Sequence, residues 1–367
     1  MELDLNQIAL DSPEQQEIHS VLQRIATGPE LSKDISLAEA RSVTANILNG
    51  KIDPVRSALF FIALRMKRET DEENRGILSA IKDSTQPIVC EADEVIDIAE
   101  AYSGYNRTLT ASPFLPALLA ALGLNAVSHG VITCSPKFGV THKQILDAAG
   151  INTDMSLKDA AVKAAATGWA YVDQSQFCPA LYKLLDFRKL VIKRLPLTTV
   201  ETVIGPIRGR QKTHLVTGYV HTPYPPVYAS LARHSGFGSA LIVRGVEGGI
   251  IPSLRQKAGF FHYHAEGKLE STEYEPQILG IEQTKRAVNL PDESWSVPEN
   301  SKEIAEKSAE LGLDALKGAK GITYDALVYA AALILWHVKK YDSITIAADE
   351  VRKVLDSGKA AEFFWQK

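Results

Sequence analysis

The feature that most constrains the fold is a change of texture near residue 86. Before it, every local signal is helical. Ser12-Pro13-Glu14-Gln15 reads as a capping box with proline at the first helical position. Ser36-Leu37-Ala38-Glu39 is a second box, opening a helix that stops at Gly50; Asp53-Pro54 starts a third helix and Thr70-Asp71-Glu72-Glu73 a fourth. Val55, Ala58, Leu59, Ile62 and Leu64 supply an apolar face of roughly helical period to the third. After residue 86, short β-rich runs alternate with helical stretches. The runs are VIDIA (95–99), NAVSHGVI (125–132), WAYVDQ (169–174), THLVTGYV (213–220) and SALIVRG (239–245). Between them lie helical segments such as PFLPALLAALG (113–123) and THKQILDAAG (141–150). Such alternation predicts a mostly parallel sheet with crossover helices. Residues 259–276 read as antiparallel, and two helices close the chain around 323–340 and 343–357. The predicted class is α/β. A small all-helical domain (1–85), joined by helices from about 155–190, stands beside a larger α/β domain (86–367) with a mostly parallel central sheet.

A chain of 367 residues is long enough for one large domain and a smaller one. Its formal charge of −4 gives no whole-molecule field that announces a nucleic-acid binder, so any such binding must come from a local basic patch. Cys90, Cys134 and Cys178 fit neither a zinc site nor a disulfide framework, and their odd number suits a reducing cytoplasm. The opening stretch MELDLNQIALDSPEQQ is acidic and lacks the apolar core of a signal peptide. The most apolar run, ALVYAAALILWHV (326–338), is too short to span a bilayer and reads as a buried helix, so no membrane partner is expected.

Four groups of residues invite a functional reading, each beside a plainer one. His129-Gly130 lies at a strand end, a common place for ligand contacts in α/β folds; it is equally a turn with a hydrogen-bonded histidine. Tyr102, Tyr105, Asn106 and Arg107 could stack on and hydrogen-bond a base, or simply fill a cleft. His262, His264 and Glu266 alternate on one strand face, which suits a metal or an ordinary exposed face; the plainer reading assigns no metal. Arg188, Lys189, Lys193, Arg194, Arg208, Arg210 and Lys212 place seven cations within residues 188–212, opposed inside that stretch only by Glu201. That is a candidate nucleic-acid patch, for DNA or RNA, or else a solvated loop. No Ser-His-Asp or Cys-His nucleophile pattern stands out, so no catalytic residue is assigned.

Residues 35–70 (ISLAEARSVTANILNGKIDPVRSALFFIALRMKRET) and 325–364, with its closing SGKA, resemble the two end segments of the anthranilate phosphoribosyltransferase family, glycosyltransferase family 3. VIDIA, ALLAALG, His129-Gly130 and DAAGIN follow the family order between them. The resemblance implies a nucleoside phosphorylase/phosphoribosyltransferase-like fold and a homodimer formed through the helical domain. It also implies a site for phosphoribosyl pyrophosphate and magnesium, and there the chain departs from the family. The phosphate loop GTGGD becomes Glu100-Ala101-Tyr102-Ser103-Gly104, and the KHGNR motif becomes Ser128-His129-Gly130-Val131-Ile132. The metal-binding Asp-Glu pair aligns with Ile250 and Ile251, which offer magnesium no oxygen. Ser135, Lys137 and Gly139 keep an SxKxG-like pattern, so the resemblance leaves them as anion-binding candidates, and Arg188 matches the arginine that faces the aromatic amine.

RLPLTTVETVIGPIRG (194–209), RGVEG (244–248) and GVTHKQIL (139–146) resemble a divergent branch of that family. That branch keeps the fold and dimer, lacks the donor site and is associated with nucleic-acid binding. The resemblance therefore implies a degenerate transferase acting as a nucleic-acid-binding or regulatory protein, without cofactor. The alternative is an active phosphoribosyltransferase with magnesium and a donor site rebuilt around Ser135, Lys137 and Glu247.

Overall fold

The computed structural model describes residues 12–28, 30–291 and 298–366. The acidic opening stretch up to residue 11 lies outside the described residues.

Four helices come first: α1 (Pro13–Ile25), α2 (Leu37–Leu48), α3 (Pro54–Lys67) and α4 (Asp71–Asp83). The boxes at Ser36/Glu39 and Thr70/Glu73 form in full. The box at Ser12 forms by half. Its hydroxyl accepts from Gln15 N, but the Gln15 amide turns away and donates to the Lys51 carbonyl at 2.8 Å. The apolar face expected on α3 is corrected. Ser57, Phe60, Phe61 and Leu64 are buried, while Val55 and Leu59 are 54% and 50% exposed. The two phenylalanines are larger than Val55 and Leu59, and burying them removes more apolar area from water.

The central sheet has seven strands: β1 (Glu94–Ala99), β2 (Ala126–Gly130), β3 (Trp169–Asp173), β4 (Lys212–Gly218), β5 (Ser239–Val243), β6 (Ala258–His264) and β7 (Glu270–Tyr274). Their spatial order is 7-6-5-4-1-2-3. The first five are parallel, and β6 and β7 add an antiparallel edge. Alternate residues along each strand point to opposite faces. Val95, Val127, Leu215 and Ile242 join a core continuous with the helical domain. Ile96, Ala126, Val216 and Leu241 join a second core on the other face. Burial on both faces explains why these strands read as nearly continuous apolar runs.

Further helices include α5 (Leu115–Ala121), α6 (His142–Ala148), α7 (Leu157–Thr167), α8 (Tyr224–Ser235), α9 (Ser301–Leu316), α10 (Ile322–His337), α11 (Ile344–Asp356) and α12 (Lys359–Phe364). α9 and α12 add to the helices predicted for the end of the chain. α10, the apolar run noted above, is buried almost all round beneath the second face. No helix among the described residues is long and apolar enough to cross a membrane. Cys90, Cys134 and Cys178 are buried free thiols. Burial pushes Cys134 up to about 12, which makes it a poor nucleophile.

Candidate functional site

The carboxyl ends of β1, β2, β4 and β5 converge where an open α/β sheet usually binds its ligand. The loop after β1 enters this region, and it is closed by its own bonds. Tyr105 N donates to the Val140 carbonyl (2.8 Å), and Val140 N returns to Tyr105 O (2.7 Å). Gly139 N donates to Ser103 O at 2.9 Å. A Cβ on Gly139 would stand 2.6 Å from the Tyr105 backbone, so this glycine admits the neighbouring loop rather than a phosphate.

Glu100 sits beneath the loop with its carboxylate surrounded by donors. Tyr105 OH (2.7 Å), Ser112 Oγ (2.7 Å), His142 Nε2 (2.8 Å) and Ile250 N (2.8 Å) all reach it. Burial works to raise its pKa. The nearby His142 and the hydrogen bonds outweigh burial and hold the carboxyl below its usual range. Ile250 and Ile251, the positions aligned with the magnesium ligands, are buried in the apolar core.

Glu247 fills the space above. It accepts from Asn106 N (3.3 Å), Arg107 N (3.0 Å), Thr108 Oγ1 (2.9 Å) and Lys137 Nζ (3.0 Å). Its φ of +55° is unusual for a non-glycine residue, and these four contacts hold it there. Two backbone N–H groups and a lysine are what a bound phosphate would use. Here a carboxylate of the same chain occupies them. A magnesium–pyrophosphate group does not fit residues so committed.

Several residues singled out from sequence have no face on this cleft. His129 is buried, its Nδ1 meets the Tyr102 hydroxyl, and its Nε2 is 3.0 Å from Asp97 Oδ1. Gly130 lies under Tyr102 and Tyr171. Ser135 Oγ donates to the Arg188 carbonyl at 2.8 Å. The expectation that Arg188 faces a ligand is corrected: it is buried, and its two terminal nitrogens donate to Glu201 at 2.6 and 2.8 Å. Of the SxKxG-like set only Lys137 reaches the cleft surface, and Glu247 engages it.

The basic stretch 188–212 is also corrected, because it does not form one patch. Arg208 donates to the carbonyls of Ile204, Gly205 and Ser235 and lies over the Phe237 ring. Arg210 pairs with Glu91 and Asp93. Lys212 begins β4, whereas Gly218 at its far end lines the cleft. Six strand steps at ~3.3 Å place them about 20 Å apart. Lys189 and Lys193 are exposed but do not line the cleft, leaving Arg194 as the one member of the stretch that does.

The positive surface lies instead along the strand ends. A cavity of about 530 Å³ there is lined by Arg65, Arg107, Lys137 and Arg194. An adjoining cavity of about 480 Å³ shares Arg107, Tyr219, Val220 and Glu247 with it and adds Arg244, Lys257 and Arg286. Together they form one groove with seven cations, in which Glu247 is the only carboxylate among the lining residues. Among the described residues, no hydrogen bond or ion pair engages the guanidinium groups of Arg107, Arg194 and Arg244. His221, Tyr224 and Tyr228 form a row of rings in the same wall, with centroids 6.4 and 6.2 Å apart. Sequence reasoning missed most of these cations because they are scattered from residue 65 to residue 286.

Two family descriptions match the chain: "Glycosyl transferase family, helical bundle domain" over residues 19–85, and "Glycosyl transferase family, a/b domain" over residues 103–361. An uncharacterized protein of Aquifex aeolicus is 27% identical over 327 residues, covering 88% of this chain and 93% of that protein. An anthranilate phosphoribosyltransferase of Petrotoga mobilis is 26% identical over 344 residues, covering 92% of each. Among solved structures, the anthranilate phosphoribosyltransferase of Thermus thermophilus superposes with a TM-score of 0.74 at 17% identity, over 95% of this chain and 97% of that one. The Saccharomyces cerevisiae enzyme in complex with PRPP and Mg gives 0.76 at 15% identity, over 95% of each chain.

Proposed function

The chain belongs to this glycosyl transferase family, and on that premise we propose that it keeps the phosphoribosyltransferase fold without the transfer reaction and binds nucleic acid along the strand-end groove. The observation that carries this reading is the pair of internal carboxylates. Glu100 and Glu247 hold the backbone, hydroxyl and lysine donors that a phosphoribosyl donor would need. The groove outside them carries uncompensated guanidinium groups beside a row of aromatic rings. Cations tracking a backbone and rings that accept base stacking are the two parts of a single-strand binding surface. Anthranilate transfer, the activity named for the relatives, is not carried over.

The test has two arms. Fluorescence anisotropy with a labelled single-stranded oligonucleotide should give binding that weakens steeply with salt, the logarithm of affinity falling by about 0.7 per phosphate contact. Calorimetry with millimolar phosphoribosyl pyrophosphate and magnesium should give no heat of binding. Donor binding would overturn the closed-site reading. An absence of oligonucleotide binding at low salt would overturn the groove reading.

The same reading includes a homodimer through the helical domain. Val55, Leu59 and Met66 stand 54%, 50% and 75% exposed on one side of α3, at spacings of four and seven residues. A second copy packing there would cover the stripe. Light scattering should give twice the chain mass for the native protein and the chain mass for a Leu59→Asp, Met66→Asp variant. A monomeric native protein would refute the dimer.

A further inference from the structure

Away from the groove, at the antiparallel edge of the sheet, three histidines converge. His262 and His264 share one face of β6, and His337 ends α10 beside them. Each offers a ring nitrogen, and the three nitrogens lie within 4.8 Å of one another. The His264 and His337 rings stack with centroids 4.6 Å apart, and His262 stands edge-on to Trp336 at 5.1 Å. The partner anticipated from sequence, Glu266, lies past Ala265, whose φ of +48° turns the chain out of the strand. His337 takes the third place, from a helix far away in sequence.

His337 is 1% exposed, and its Nδ1 has no hydrogen-bond partner. A buried polar atom left this way costs stability unless something meets it. Its neighbours assign the tautomer. His214 Nε2 lies 3.3 Å from a Glu94 carboxylate oxygen, which can only accept, so that nitrogen carries the hydrogen. His214 Nδ1 is then a lone pair, and the Ser239 hydroxyl, 2.7 Å away, donates to it. Ser239 Oγ in turn accepts from His337 Nε2 at 2.9 Å. His337 Nδ1 is left as a bare lone pair in the cluster.

We propose that His262, His264 and His337 form a binding site for a divalent transition-metal ion of the zinc, nickel or copper class. Neutral imidazoles suit these ions and not magnesium or calcium, which take oxygen ligands. Zinc–nitrogen bonds of ~2.0–2.1 Å require a closure of less than about 1 Å per nitrogen from the present spacing. The Ser239–His214–Glu94 chain orients His337 from behind, and Thr272 Oγ1 lies 3.3 Å from His262 Nε2; such outer contacts typically fix metal-binding histidines. The histidines line a cavity of about 530 Å³ that also carries Glu270 and Asp342. Glu270 stands opposite His262 in register and is placed to supply an oxygen, while Lys339 in the same wall opposes a cation.

The experiment uses the untagged full chain in equilibrium dialysis against zinc, with cobalt(II) as a spectroscopic probe. One ion per chain should bind with a dissociation constant in the micromolar range or below, uncompeted by millimolar magnesium. Cobalt should develop the intense visible bands of a tetrahedral site. His262→Gln and His264→Gln should each weaken binding at least ~10-fold, with the circular dichroism of the native fold retained. His264 is only half-buried, so its variant remains informative if changes at His337 disturb folding. Binding weaker than about 1 mM, or full binding by the folded His262→Gln, His264→Gln double variant, would overturn the site.

Discussion

Replacing Arg107, Arg194 and Arg244 together by alanine should weaken single-strand binding roughly a hundredfold at 0.1 M salt. Each phosphate contact contributes a salt exponent of ~0.7, so three contacts contribute an exponent of ~2. The slope of log affinity against log salt should flatten by about that amount. These guanidinium groups hold no structural bonds among the described residues, so the variant should unfold at the native temperature. The counterpart variant, Lys189→Ala, Lys193→Ala, Arg210→Ala, removes as many charges from outside the groove and should leave the slope nearly unchanged. The reverse ranking would place the binding surface on the linear basic segment instead.

The second large effect concerns stability. Glu100→Ala should destabilise the fold by about 3–5 kcal/mol, the usual result of removing one partner from a buried, charge-assisted network. It would orphan the donors of Tyr105, Ser112, His142 and Ile250 together. The pH dependence has a definite sign. The folded pKa of Glu100 is lowered, so its stabilisation is fully present above the unfolded carboxyl value of ~4.3. It is lost as pH falls through the folded pKa. In thermal melts, the gap between native protein and Glu100→Gln should therefore be widest near neutrality and narrow below about pH 4. A gap independent of pH would mean that the carboxylate charge is not what holds the loop.

Much of the fold was legible because its signals are local. The boxes at Ser36 and Thr70 and the runs that became β1 to β5 each declare themselves within a few residues. The face of α3 was misread because several apolar residues competed for one buried side, and the larger Phe60 and Phe61 took it. The departure of the loop after β1 from the family's glycine-rich pattern was readable at residues 100–104. What stands in its place was not, since Glu100 draws partners from positions 105, 112, 142 and 250. Charge counted along the chain failed for a related reason: one strand carries Lys212 and Gly218 to opposite ends of the sheet's strands. His337 gave only a faint sign, a histidine closing the long apolar run of its helix.

The two internal carboxylates also bear on how this protein could change over generations. Freeing the loop donors for a phosphate would require Glu100 and Glu247 to leave, yet each satisfies several donors of the surrounding loops. A single substitution at either position leaves those donors unpaired before any ligand can meet them. Gly249 is tied into the same arrangement, because a Cβ there would collide with the Tyr105 hydroxyl. A one-step opening of the loop at either carboxylate thus passes through a less stable protein, and the closed arrangement acts as a ratchet against such change.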